Sequence, residues 1–113
     1  MDEFVFVYMT TGSLEEARAI GRRLVEARLA ACANIVPGME SIYHWQGNVE
    51  AAQETVLIAK TRAVLVDQLT AKVRELHSYD CPCVVVLPIS GGNPAYLRWL
   101  GSETTDIGGT ALA

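Results

Sequence analysis

Three features of this sequence predict an α+β fold, with four antiparallel strands and two helices covering one face. The apolar patterns run strand, helix, strand, strand, helix, strand. Helix-start and turn residues stand between the patterns, and no run of basic residues or internal repeat competes with this reading. That order is the split βαβ, or ferredoxin-like, unit.

Each element has its own signal. Phe4 to Thr10 (FVFVYMT) is β-branched and aromatic, as a strand buried on both faces should be. Ser13 followed by Glu16 forms a capping box that starts the first helix. Ala17, Ile20, Leu24, Ala27 and Ala31 then recur at spacings of three and four, which carries the helical reading to Ala31. Cys32 to Trp45 reads as a long strand bent at Pro37-Gly38, because proline is tolerated in a sheet at an edge or bulge. Gly47-Asn48 signals a turn, and Thr55 to Lys60 (TVLIAK) supplies the third strand.

Thr61 is the expected cap of a second helix, whose apolar stripe is Leu65, Val66, Leu69, Val73 and Leu76. That helix should end near His77-Ser78, ahead of Cys81-Pro82. Val84 to Ile89 is the fourth strand. Asn93-Pro94 offers a cap and a first-turn proline for a short closing helix through Leu100. One domain is expected over residues 1–101, with a loose tail from 102 to 113, where Gly, Thr and Ala show no period.

The totals narrow the class. Of 113 residues, 50% are apolar and 19% charged, which excludes a disordered chain. The net charge of −4 and the lack of a basic run argue against nucleic acid or an anionic membrane as partner. Cys32, Cys81 and Cys83 are too few and odd in number for a disulfide framework, so a reducing cytoplasm is expected. The N-terminus lacks the charge and length of a signal peptide, and no stretch is long enough to span a membrane.

Two helices can cover only one face of four strands. The first and fourth strands are nevertheless apolar on both sides, and the fourth lies at a sheet edge in this topology. The second face therefore calls for a partner, most simply further copies of the chain. The alternative is a monomer whose closing helix and tail fold over that face.

Several stretches together resemble the CutA divalent-cation tolerance family. They are Leu29-Ala30-Ala31-Cys32-Ala33-Asn34, Ser41-Ile42-Tyr43-His44-Trp45-Gln46-Gly47, Lys60-Thr61-Arg62, His77-Ser78-Tyr79-Asp80-Cys81-Pro82, and Gly92-Asn93-Pro94-Ala95-Tyr96 through Trp99-Leu100. The resemblance spans about residues 4 to 100. It implies a homotrimer similar in architecture to the PII-like signalling proteins, a role in metal-ion tolerance, and binding of copper or another divalent cation not required for folding. Members of the family usually carry Pro-Glu where this chain has Pro82-Cys83, and some have a cysteine where it has Met9.

In the split βαβ fold the end of the first strand lies beside the start of the fourth. Met9 is thereby expected to approach Cys81 and Cys83, with His77 slightly upstream. Thioether, thiolate and imidazole suit Cu(I), and zinc could use the sulfur and nitrogen donors. Against this stands plain packing, with Met9 and both cysteines as buried hydrophobes. A second reading is a small-molecule sensor with ligand held between subunits by Tyr43, Trp45, Lys60 and Tyr79. An acid–base enzyme using His77 with Tyr79 or Lys60 comes third, since the sequence offers no nucleophile, carboxylate pair or oxyanion-hole motif. His44 reads as a surface or interface residue, and Gly91-Gly92-Asn93 matches no phosphate-binding loop.

Overall fold

The computed structural model describes residues 3–104. Its elements are β1 (Phe4–Thr11), α1 (Leu14–Glu26), β2 (Cys32–Trp45), β3 (Asn48–Arg62), α2 (Val66–Leu76), β4 (Val84–Ile89) and α3 (Pro94–Ser102). The four strands form one sheet in the order β2-β3-β1-β4, with every neighbouring pair antiparallel. The α+β class and the element order are those expected, and β4 does lie at an edge.

The alternation of β1 divides the molecule into two faces. Val5, Val7 and Met9 are buried in the core together with Leu57 and Ala59 of β3, Ala17, Ile20 and Leu24 of α1, and Leu69 and Val73 of α2. At Gly21 the helix comes so close to the sheet that a Cβ would sit 3.2 Å from both Ala33 Cβ and Leu57 Cδ1. A side chain there would require Ala33 and Leu57 to give way by a few tenths of an ångström.

The opposite face is only partly covered. Phe6 is 38% exposed, Leu87 47%, Val85 51% and Val36 51%, which for side chains of this type is unusual across a whole sheet face. One end of it is closed by α3. Asn93 caps that helix by accepting from the Ala95 N–H, Pro94 follows, and Leu100 is fully buried. Tyr96 places its hydroxyl 3.4 Å from Lys60 Nζ, whose ammonium lies over the rings of Phe6 and Tyr96.

Several boundaries differ from expectation. The first helix stops at Glu26, because Arg28 takes a positive φ of 63° and the Leu29 and Ala30 N–H groups turn back to the Leu24 carbonyl. Leu29, Ala30 and Ala31 keep the apolar spacing because they are buried as a loop. Thr61 does not cap α2. It pairs with Val5 inside β3, and α2 begins at Val66 after a 3-10 turn over Ala63–Leu65, without a side-chain cap.

The third strand is 15 residues long, beginning at Asn48 instead of Thr55. Its outer part, Val49 to Gln53, has too few apolar residues to announce a strand; pairing with β2 imposes the conformation. The hairpin turn is Gln46-Gly47, both at positive φ as a tight two-residue connection requires. The expected bend appears as a bulge between Val36 and Met39, with Gly38 at φ 79°.

Three residues of the expected tail, 102–104, are described, and they pack against the domain. Ser102 ends α3, Glu103 pairs with Arg28 at 3.1 Å, and the buried Thr104 hydroxyl accepts from Arg62 Nε at 3.0 Å. The rest of that segment, 105–113, lies outside the described residues.

Candidate functional site

His77 leaves the C-terminus of α2 and turns its ring under the end of β1, with its side chain fully buried. Nε2 lies 2.8 Å from the Thr10 carbonyl, which can only accept, so Nε2 carries the proton. Nδ1 then accepts from the Tyr79 N–H at 3.0 Å. Both nitrogens are thereby occupied by backbone.

Glu16 ties the same corner from the other side. Its Oε1 accepts from the Gly12 N–H at 3.0 Å and its Oε2 from the Ser78 N–H at 2.7 Å. The capping box is therefore split: Ser13 Oγ accepts from the Glu16 N–H, while the glutamate reaches past the cap to a loop 62 residues away. Partial burial pushes the Glu16 carboxyl up, but the hydrogen bonds from Ser78 and Gly12 and the proximity of His77 outweigh it and hold the group below its ordinary 4.5.

A carboxylate with a lowered folded pKa stabilises the protein above its unfolded pKa. That contribution is lost as pH falls through the lower, folded value. Glu16→Gln is accordingly expected to lower the thermal midpoint at neutral pH by a few degrees. The difference from wild type should shrink as pH drops below about 4.5.

Next along the loop, the Tyr79 hydroxyl donates to Glu54 Oε2 at 2.8 Å. Burial, that bond and the charges of Glu54 and Glu16 push the phenol up to about 12, so it stays a donor at neutral pH. Cys81 is exposed, and Cys83 is half-buried beside the Thr10 side chain. Burial pushes the Cys83 thiol up; the Glu54 charge adds to this, while the Thr10 hydroxyl opposes it.

The four expected metal donors are therefore not brought to one point. Met9 lies in the core under the helices, whereas its neighbour Thr10, and with it Cys83, belongs to the opposite face. His77 spends both nitrogens on backbone. Among the described residues no three His, Cys, Asp or Glu side chains are grouped so as to hold a metal ion. What remains is the thiol pair Cys81 and Cys83. Two sulfur donors suit Cu(I) and fall short of the four ligands of a closed zinc site.

The expected ligand residues are also distributed. Tyr79 and Glu54 are joined, and Tyr43 lies near enough to act on the Tyr79 phenol. Trp45 is 61% exposed near the hairpin tip. Lys60 stands six residues from Glu54 along β3, about 20 Å at strand rise, and its neighbours are Phe6 and Tyr96. Lys60 lies across from Phe6 and His77 against Thr10, four residues apart on β1 and about 13 Å at strand rise, too far for the two to act as a direct acid–base pair.

Sequence reasoning missed Glu54 and Tyr96, and it read Glu16 only as a helix start. For Glu54 no signal exists in a polar stretch. The Cys32–Lys60 register pair, which meets the Tyr96 hydroxyl, follows only from knowing the strand alignment.

Residues 5–103 match the family model described as CutA1 divalent ion tolerance protein. The divalent-cation tolerance protein CutA of Thermus thermophilus is 49% identical over 104 residues, covering 92% of this chain and 99% of that one. A solved structure from Thermus thermophilus has a TM-score of 0.86 at 48% identity, covering 93% of this chain and all of that one. CutA1 from Oryza sativa has a TM-score of 0.90 at 44% identity, covering 92% and 95% of the two chains. The chain spans 58% of the length of the rice protein CutA 1, chloroplastic, and 55% of its Arabidopsis thaliana counterpart. On the strength of this agreement in sequence and fold, the chain belongs to the CutA1 divalent ion tolerance protein family.

Proposed function

We propose that this protein is a homotrimeric metal-binding module of cation tolerance, and that it takes copper as Cu(I) through the thiols of Cys81 and Cys83. The observation that carries the reading is the position of those thiols. They stand outside the core, at the head of an edge strand, in a chain whose family is named for divalent-ion tolerance. Softness selects the metal, since thiolate prefers Cu(I) to harder ions. Binding must displace the thiol protons, so affinity falls with pH. The trimer is supported by the apolar side chains left uncovered on the second sheet face and along the hairpin. A cytoplasmic setting is consistent with three free cysteines.

Titration of the purified protein with a competing Cu(I) chelator tests the site. Replacing both Cys81 and Cys83 with serine is expected to weaken Cu(I) by about a hundredfold or more, while Cys32→Ser leaves it unchanged. Equal affinity in wild type and the double variant would remove the site.

A second reading has one observation in its favour. The Tyr79–Glu54 pair with Tyr43 nearby forms a polar and aromatic corner on the uncovered face, where a cationic metabolite could lie between subunits. A thermal-shift screen of metabolites without metal separates this sensor reading from the metal reading.

A further inference from the structure

We propose that Cys81 and Cys83 form a thiol–disulfide couple that exchanges with low-molecular-weight disulfides, an activity separate from metal binding. The two thiols are not joined to any other cysteine among the described residues, and neither belongs to the core. One residue, Pro82, separates them. Two chain steps span at most about 7 Å, so a slight bend brings the Cα atoms within the roughly 4.4–6.8 Å that a disulfide requires. The chain from Ser78 to Cys81 is already bent and belongs to no helix or strand, so closure does not break the sheet.

The two cysteines also differ in the way exchange demands. Cys81 is exposed and open to attack an external disulfide, whereas Cys83 is half-buried against Thr10 and protected from it. In the first step the Cys81 thiolate attacks one sulfur of RSSR; the S–S bond breaks, a mixed disulfide forms on Cys81, and RS⁻ leaves. In the second step the Cys83 thiolate attacks the Cys81 sulfur and expels the second RS⁻. The two thiol protons end on the two RS⁻ groups. The protein is oxidised by two electrons and RSSR is reduced to two RSH. Closure also withdraws both sulfur donors from metal, so redox state would govern any copper site there.

The test uses the full chain carrying Cys32→Ser, in chelator to exclude metal, with glutathione disulfide as the probe. Mass spectrometry is expected to show loss of two hydrogens, mapped to the peptide holding Cys81 and Cys83, with no glutathione retained. Adding Cys83→Ser should instead trap a stable glutathione adduct on Cys81. Adding Cys81→Ser should slow adduct formation about tenfold, because the remaining thiol is shielded. A glutathione adduct that persists on the protein with both cysteines, or two thiols left unreacted, would overturn the couple. Because metal is absent throughout, failure here leaves the copper reading standing, and loss of Cu(I) affinity in the chelator titration says nothing against the couple.

Discussion

If the protein is the trimer proposed above, Leu87→Asp is expected to convert it into monomers. Leu87 sits on β4 opposite Phe6 of β1, on the face that α3 leaves uncovered, and it is 47% exposed in the single subunit. An aspartate there costs an isolated subunit little, since the carboxylate reaches water. Inside a subunit interface the same carboxylate would be desolvated without a partner, at several kcal/mol for each subunit. Light scattering should give about three times 12.3 kDa for wild type and a single chain mass for the variant. The variant's circular dichroism should remain that of a folded α+β domain. A variant that stays trimeric would move the interface away from this face.

His77→Ala is expected to produce the largest loss of stability among the loop residues. The imidazole donates to the Thr10 carbonyl and accepts from the Tyr79 N–H with its side chain fully buried. Alanine leaves both backbone groups short of a partner and opens a cavity. Together these are expected to cost about 2–5 kcal/mol. Chemical denaturation of the metal-free protein measures it. If His77 served as a metal ligand instead of a clamp, metal-free stability would barely move and Cu(I) affinity would fall.

The contrast between His77 and the helices shows what a sequence can and cannot disclose. α1 and α2 were legible because burial on one side stamps a period of three to four on the chain. β1 and β4 were legible because they are short and apolar throughout. The outer half of β3 was not, since Val49 to Gln53 obtain strand conformation from β2 and carry no pattern of their own. Thr61 misled because a threonine before a helical stripe looks like a cap whether or not the sheet has already claimed it.

The arrangement of the candidate donors was only partly legible, for a related reason. Sequence places Met9, Thr10, Cys83 and His77 near one another, and they are near. It does not say that consecutive residues on β1 face opposite ways, nor that the backbone had already taken both imidazole nitrogens. Chemical type and proximity were readable from the sequence; direction and prior occupancy were not.

The β2–β3 hairpin stretches the chain to 49 Å along its long axis, against 27 and 23 Å across. None of its residues from Glu40 to Gln53 belongs to the buried core cluster, and Ile42, Trp45 and Val49 are each more than 60% exposed. A two-stranded ribbon alone in water is marginal. Its amides therefore report local opening far more readily than those of β1, whose hydrogen bonds are lost only with the fold. If the ribbon gains its packing from neighbouring copies, its protection against hydrogen exchange becomes a property of protein concentration. Folding of the outer sheet and association of the subunits are then a single equilibrium, reached last and lost first.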